Sequence, residues 1–171
     1  MVKKDLRKLH KQRRNDKDRF ELLERSLIIT QKVIDFLIPY ESVGIYISID
    51  TVVNTRAIIE YCFENNKRVC VPKIINDEMF FVDIKTIDEC SEVKGLLEPK
   101  STQQAKDPEI QIIPMLAYNS RYYRLGYGKG YYDKYLKDYE GFTLGLCYAF
   151  GKDENLIESA FDISCQMILT D

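Results

Sequence analysis

The sequence contains very few of the residues that build metal-stabilised and disulfide-stabilised folds. Its 171 residues include a single histidine, His10, and five cysteines, no two of which form a CxxC pair. A structural zinc site needs four closely spaced Cys or His ligands, so the zinc-finger classes are excluded. An odd number of scattered cysteines is typical of reduced thiols, which we expect to be small buried apolar side chains. His10 stands on a highly charged stretch, where we expect it at the surface with no catalytic role.

Long apolar runs and internal repeats are also missing. No apolar stretch follows the basic N-terminus, so we predict neither a signal peptide nor a membrane span and expect a cytoplasmic location. The length is typical of one compact unit, and we predict a single domain over residues 1–171. An apolar content of 45% is enough for a sizeable core. Nothing in the sequence demands an oligomer, so we expect a monomer.

The net charge of −2 conceals an uneven distribution along the chain. Residues 3–19 contain nine basic and three acidic side chains, so this segment carries +6 and the rest of the chain −8 (−2 minus +6). A basic arm on an acidic body can bind the phosphate groups of a nucleotide or of a nucleic acid. We expect most lysines of this arm to be solvated, whereas Arg13 and Arg14 are candidates for contact with a nucleotide.

Apolar residues follow the helical period in several segments. At the N-terminus, Val2, Leu6 and Leu9 recur at helical spacing. Shorter helices are predicted over residues 55–64 and 131–137. A long helix is predicted to end before Pro39. Its predicted buried stripe consists of Phe20, Leu23, Leu27, Ile34 and Leu37.

Short apolar runs predict strands between these helices. The predicted strands cover residues 43–49, 68–72, 79–84, 111–116, 142–148 and 167–170. Asn76-Asp77 is typical of a turn between two of them, and the polar residues 98–108 are predicted to form a loop. Alternating strands and helices indicate an α/β fold, which we predict to be a three-layer sandwich with a mostly parallel central sheet and helices on both faces.

The segment from Arg124 to Asp133, with sequence RLGYGKGYYD, differs from the rest of the chain. Three alternating glycines allow backbone N–H groups to approach an anion closely, and the predicted helix behind them places its positive end there. Arg124 and Lys129 can supply further positive charge, and Asp133 can hold a magnesium ion. The spacing fits neither a Walker A loop nor a Rossmann fingerprint, and a tight turn without a ligand is the alternative.

Tyrosines are concentrated around this glycine segment. Eight of the twelve tyrosines of the chain lie between residues 118 and 139. Some of them recur at helical spacing and are expected in the core, but those in the loop are not explained in this way. Flat rings beside a phosphate-binding loop suit a flat heterocyclic substrate.

The glycine segment, with the preceding Ile112-Ile113-Pro114 and Tyr118, resembles the signature of 5-formyltetrahydrofolate cyclo-ligases, also called methenyltetrahydrofolate synthetases. Lys3-x-x-Leu6-Arg7 is similar to the N-terminal lysine motif of that family. The closing residues, Glu158-Ser159 to Asp162 and then residues 167–171, are similar to its last acidic motif and final strand. The resemblance therefore covers nearly the whole chain.

This resemblance implies an enzyme that binds Mg-ATP and 5-formyltetrahydrofolate. In such enzymes ATP phosphorylates the formyl oxygen, N10 of the folate attacks, and loss of phosphate leaves 5,10-methenyltetrahydrofolate. The implied magnesium carboxylates are Asp133 and Asp162. The implied folate contacts are Ile47, Val52, Tyr127 and Tyr131. The implied ATP and phosphate contacts are Lys3, Arg7, Arg124, Leu125, Gly126, Tyr127, Gly128, Lys129, Gly130, Tyr131 and Tyr132.

The sequence departs from the family pattern at two places that concern the site. Val52 occupies the position, three residues before Thr55, where the family usually has a folate-binding glutamate. Asp50 or Asn54 would have to replace that lost hydrogen-bonding partner. The family's Glu-Ser-His-Asp motif reads Glu-Ser-Ala-Phe-Asp here, which is one residue longer and lacks the histidine.

Two other functions are compatible with parts of the sequence. A kinase or isomerase of a phosphorylated metabolite could use the same scaffold, and Val52 leaves room for a changed substrate. A non-catalytic RNA-binding protein could use the basic arm and the tyrosines. The acidic body and a sequence pI of about 5.6 argue against RNA, so we expect small-molecule substrates and no nucleic acid.

Overall fold

A six-stranded sheet forms the centre of the protein, which a computed structural model describes over residues 1–171. Four α-helices surround this sheet: α1 (Lys3–Asn15), α2 (Arg19–Leu37), α3 (Arg56–Glu64) and α4 (Tyr131–Leu136). The first five strands are β1 (Ser42–Ile45), β2 (Arg68–Ile75), β3 (Glu78–Ile84), β4 (Cys90–Val93) and β5 (Leu96–Pro99). The other five are β6 (Ile110–Pro114), β7 (Ala117–Tyr118), β8 (Arg124–Leu125), β9 (Phe142–Leu146) and β10 (Met167–Leu169).

The central sheet has the strand order β10-β9-β6-β1-β2-β3. All neighbouring strands are parallel except β2 and β3, which form an antiparallel hairpin around the predicted Asn76-Asp77 turn. The predicted mostly parallel sheet is therefore confirmed. Gly44 of β1 lies opposite Gln111 of β6, and a Cβ at Gly44 would stand 2.2 Å from Gln111 Oε1, so a larger residue there would displace the buried Gln111 amide.

Helices α2 and α3 cover one face of the sheet and bury the larger core. The buried stripe of α2 differs from the predicted one, because Phe20, Leu23 and Leu27 are exposed. The stripe that faces the sheet contains two polar residues, Ser26 and Thr30, which interrupt the apolar pattern from which a buried stripe is predicted. Its buried members are Leu22, Ser26, Ile29, Thr30, Val33 and Leu37.

The other face of the sheet is covered by α4 and its tyrosines. Tyr135 packs on Phe81 of β3 with ring centroids 4.8 Å apart, and its hydroxyl receives a hydrogen bond from Gln111 Nε2 over 3.0 Å. Leu136 packs with Ile113 of β6 and with Cys147. The predicted three-layer arrangement is thus present, and several tyrosines near the glycine segment belong to the core.

A hairpin of β4 and β5 lies beside β2 and was not predicted. Its connecting residues, Lys94 and Gly95, have φ values of 50° and 78°, as expected for a two-residue turn. The predicted loop over 98–108 therefore begins inside β5. The hairpin lacks a sequence signal because most of its residues are exposed and the apolar residues do not alternate.

Helix α1 packs across the small β7–β8 hairpin through Leu6, which is buried against Leu116, Leu125 and other apolar side chains. The surface position expected for His10 is wrong: this residue is 1% exposed, and its Nε2 lies 2.8 Å from Asp153 Oδ2. None of the four helices combines the length and apolarity needed to cross a membrane.

Candidate active site

A cavity of about 910 Å³ opens at the carboxyl ends of the parallel strands. One side is formed by α1, by the segment that follows β1, and by the glycine segment. The opposite side consists of the β2–β3 hairpin and β5, which contribute Ile74, Met79, Leu97 and Glu98. Open α/β sheets bind ligands at this edge, because the loops that follow the parallel strands meet there.

The glycine segment enters the cavity between β8 and α4. Its backbone needs glycine at Gly128, with a φ of 104°, and at Gly130, with a φ of 71°. Leu125 is fully buried in the cluster around Leu6, so its side chain belongs to the core. Helix α4 has only six residues, and it therefore supplies less charge at its N-terminus than a long helix would.

Arg7 connects α1 to the glycine segment. Its Nε donates a hydrogen bond to Gly126 O over 2.9 Å, and its guanidinium carbon lies 3.3 Å from the point where a Cβ on Gly128 would be. The structure thus brings Arg7 and the glycines together. Lys129 borders the same cavity and forms no hydrogen bond or ion pair with the protein.

Two ion pairs join the predicted cationic and acidic site residues. Lys3 pairs with Asp162, which also accepts a hydrogen bond from Ser159 N over 2.7 Å. Burial alone would raise the pKa of the Asp162 carboxyl, but the hydrogen bonds from Lys3 and Ser159 outweigh burial and lower it. This carboxylate therefore stays ionised at neutral pH.

The second pair joins Arg124 Nη2 and Asp133 Oδ1 over 2.6 Å. The Arg124 side chain is 4% exposed and also donates to the Ile163 carbonyl, so much of its hydrogen-bonding capacity is used within the protein. Asp133 Oδ1 also accepts a hydrogen bond from Ile163 N over 3.0 Å. Arg124 thus stabilises the segment that carries Asp162.

The two carboxylates fit a magnesium site that is completed by a nucleotide. No group of three or more His, Cys, Asp or Glu side chains surrounds either of them. Magnesium in nucleotide sites is commonly bound by one or two carboxylates together with phosphate oxygens and water. Asp133 and Asp162 border one cavity together with Lys3 and Arg7, which matches this donor set.

The tyrosines of the segment have different environments. Tyr127 borders the cavity and is 43% exposed, and its hydroxyl lies 3.4 Å from Nη1 of the buried Arg14. Tyr131 reaches across the cavity and donates a hydrogen bond to Asp77 Oδ1 of the β2–β3 turn over 3.3 Å. The Tyr132 hydroxyl is buried without a partner, and burial raises its pKa. Tyr127 and Tyr131 are therefore available to a ligand, whereas Tyr132 is largely structural.

The segment after β1 supplies the predicted folate positions. Ile47, which is buried, and Val52, which is partly exposed, both border the cavity. Asp50 borders it as well, but is largely exposed and lies 3.4 Å from Arg19. Asn54 lies outside this cavity, and its Oδ1 accepts a hydrogen bond from Arg56 N.

Three further residues of the site differ from the expectations from sequence: Glu98 was not predicted, Lys11 was expected to be solvated, and Arg14 was a candidate for nucleotide contact. Glu98 and Lys11 border the cavity, and Arg14 lies behind Tyr127 instead of facing the cavity. Arg14 is 1% exposed and donates a hydrogen bond to the Met115 carbonyl at the end of β6. The only signal for Glu98 is a charged residue among apolar neighbours, in Leu-Leu-Glu-Pro.

A deep cavity at the carboxyl edge of a parallel sheet, lined by a glycine loop, cations and carboxylates, defines an α/β enzyme that acts on small molecules. The model of the 5-formyltetrahydrofolate cyclo-ligase family matches residues 1–170. The chain belongs to this family of ligases.

Individual relatives agree over most of the chain. A 5-formyltetrahydrofolate cyclo-ligase of Mycoplasma pneumoniae is 29% identical over 178 residues, covering 100% of this chain and 99% of the relative. A mouse (Mus musculus) protein of the same name is 30% identical over 155 residues, covering 80% of this chain and 74% of the relative.

Solved structures show the same fold. A 5,10-methenyltetrahydrofolate synthetase from Mycoplasma pneumoniae superposes with a TM-score of 0.84 at 28% identity, covering 100% of this chain and 99% of that one. The synthetase from Aquifex aeolicus gives a TM-score of 0.80 at 27% identity, with coverages of 98% and 89%. The resemblance found in the sequence is thereby confirmed.

Proposed function

We propose that the protein closes the ring of 5-formyltetrahydrofolate to give 5,10-methenyltetrahydrofolate, with consumption of ATP in the presence of Mg²⁺ and release of ADP and phosphate. The single observation that carries this proposal is the convergence of Lys3, Arg7, Asp133 and Asp162 with the glycine segment on one cavity. Membership of the cyclo-ligase family supports the folate substrate.

The basic side chains and the glycine segment bind the triphosphate in this proposal. Phosphoryl transfer needs positioning and neutralisation of charge more than a protein nucleophile. Lys129 has no partner in the protein and is free to bind phosphate oxygens. Lys3 exchanges its contact with Asp162 for a phosphate, while Arg7 retains the position that its bond to Gly126 gives it.

Asp133 and Asp162 hold the magnesium ion in this proposal. Bound there, Mg²⁺ would neutralise charge on the phosphates. Each carboxylate already forms an ion pair with a cationic side chain, which favours its ionised form, the form that binds a metal ion. Asp162 exchanges Lys3 for the ion and Asp133 contributes its oxygen that is not bonded to Arg124.

The folate lies against the tyrosines and the segment after β1. Its formyl oxygen attacks the γ-phosphorus of ATP, the bond to the β–γ bridging oxygen breaks, and ADP leaves. N10 then attacks the formyl carbon and loses its proton, and the C–O bond to phosphate breaks as the methenyl bridge forms. Tyr127 and Tyr131 supply aromatic surface for the flat ring system, and Ile47 and Val52 supply apolar contact.

The experiment that tests the proposal follows the absorbance of the methenyl product with purified protein, 5-formyltetrahydrofolate, ATP and Mg²⁺. We expect product only when ATP and Mg²⁺ are both present. Absence of product with ATP still bound would favour a kinase or isomerase of another metabolite. We also expect a monomer by light scattering, a cytosolic location, and no salt-sensitive affinity for RNA.

A further inference from the structure

Glu98 carries a carboxylate that has no hydrogen-bond or ion-pair partner in the protein. It is 6% exposed, lies on β5, and borders the cavity. No side chain or backbone N–H donates a hydrogen bond to it, whereas Asp133 and Asp162 in the same cavity each accept several. An unpaired acceptor on the wall of a cavity is complementary to a ligand that brings N–H donors, because the ligand can replace the water that would otherwise bind it.

The position of Glu98 is held by the surrounding backbone. Its strand pairs with β4, where Ser91 is its register partner. The Pro99 carbonyl next to it accepts a hydrogen bond from Lys73 Nζ of β2 over 2.6 Å, which ties β5 to the central sheet. The carboxylate is therefore carried by a fixed strand, as a recognition group should be.

Glu98 also faces the part of the cavity assigned to folate. The Tyr131 hydroxyl donates a hydrogen bond to Asp77 of the β2–β3 turn, and β5, which carries Glu98, packs beside β2 of that hairpin. Glu98 and Tyr131 therefore border the same cavity, and the proposed function places the Tyr131 ring against the substrate. On the side after β1, Val52 offers no acceptor, Asp50 is exposed beside Arg19, and Asn54 is outside the cavity.

We propose that Glu98 is the specificity-determining carboxylate of this chain, and that it accepts hydrogen bonds from the 2-amino group and the N3–H of the reduced pterin. This assignment rests on the proposed function and deepens it. The pterin edge offers two adjacent parallel donors, which match the two oxygens of one carboxylate. Adenine offers an amino group next to an unprotonated ring nitrogen, which would face the carboxylate with a lone pair, so ATP fits this position poorly.

The test compares Glu98→Gln with the matched control Glu92→Gln. Glu92 is exposed on β4 of the same hairpin and does not border the cavity. Loss of hydrogen bonds to a charged acceptor predicts a roughly ten- to hundred-fold rise in the KM and Kd for 5-formyltetrahydrofolate, with the KM for ATP changed less than about twofold. The control variant should behave like the wild type, and both variants should retain the wild-type circular dichroism spectrum.

A folate analogue that lacks the 2-amino group separates recognition from a general packing effect. The wild type should bind the analogue more weakly than the normal substrate, and Glu98→Gln should bind the two compounds with similar affinity. An unchanged folate KM in an active Glu98→Gln enzyme would overturn the inference alone. A raised KM for ATP in place of folate would overturn the pterin assignment. A wild type that neither binds nor converts the folate would overturn the proposed function together with the inference.

Discussion

Lys3 and Asp162 are 159 residues apart in the sequence and form an ion pair at the cavity. The pair joins the first helix to the segment before the last strand, since α1 begins at Lys3 and Asp162 lies shortly before β10. In the proposed function the two partners separate, Lys3 toward phosphate and Asp162 toward magnesium. In that proposal the same contact holds both side chains at the cavity, where Mg-ATP would bind.

The first prediction concerns these two partners. Lys3→Ala should raise the KM for ATP about ten- to hundred-fold, because one charge-assisted contact to phosphate is lost. Asp162→Asn should instead raise the Mg²⁺ concentration needed for half-maximal activity. Steady-state kinetics over a matrix of ATP and Mg²⁺ concentrations distinguish the two effects. If both variants changed the KM for ATP equally and neither shifted the Mg²⁺ concentration for half-maximal activity, the pair would be only structural.

The second prediction separates two residues of the glycine segment that the sequence alone would treat alike. Lys129→Ala should abolish most of the turnover without changing the free energy of unfolding, because Lys129 borders the cavity and forms no hydrogen bond or ion pair with the protein. Asp133→Ala should abolish turnover and also lower the free energy of unfolding by about 1–3 kcal/mol, because it leaves the buried Arg124 guanidinium without its carboxylate. Urea unfolding beside the activity assay measures both quantities. Full activity in both variants would refute the assignment of this site.

The sequence predicts the glycine segment and the central sheet well, because both depend on local patterns. Three alternating glycines before Tyr131 mark the loop that borders the cavity, and short β-branched runs mark the parallel strands. The buried stripe of α2 is not predictable in this way. Ser26 and Thr30 interrupt it, and Ser26 is tolerated in the core because its hydroxyl bonds Tyr148 and Asn54 N across the fold.

Long-range contacts explain the other differences between prediction and structure. His10 is buried by a contact with Asp153, 143 residues away, so nothing near it in the sequence indicates a core position. Glu98 belongs to a hairpin in which half of the strand residues are exposed, and its place at the cavity depends on the packing of β5 beside β2. Arg14 lies in the charged N-terminal stretch, where a surface position would be expected. It is buried instead and donates a hydrogen bond to the Met115 carbonyl at the carboxyl end of β6.

The third prediction compares two glycines of the glycine segment. Gly128→Ala should lower the free energy of unfolding by about 1–3 kcal/mol, since a φ of 104° is strained for alanine and its Cβ would stand 3.3 Å from the Arg7 guanidinium. The displaced Arg7 should also weaken ATP binding. Gly126→Ala is the matched control, because no atom lies within 4 Å of its Cβ and its φ is not positive. Urea unfolding and ATP titration of both variants check this expectation, and equal tolerance of alanine at the two positions would contradict it.

The last prediction concerns the pH dependence of stability. Burial lowers the pKa of His10 below its ordinary value of 6.5, and the opposing hydrogen bond to Asp153 does not cancel this effect. Between the lowered folded pKa and 6.5 the unfolded chain binds more protons than the folded one, so stability should fall as the pH decreases through this window. His10→Gln removes the titrating group, and its free energy of unfolding should change less over the same window.

Denaturant unfolding of both proteins between pH 5 and 8 measures this difference. The variant should be less stable than the wild type at pH 8, because the buried imidazole that fills the space beside Asp153 is replaced. The gap should narrow as the pH decreases, since only the wild type is penalised for charging a buried imidazole. A gap that widened toward pH 5 would mean that the folded protein prefers the imidazolium, with the ion pair to Asp153 outweighing burial.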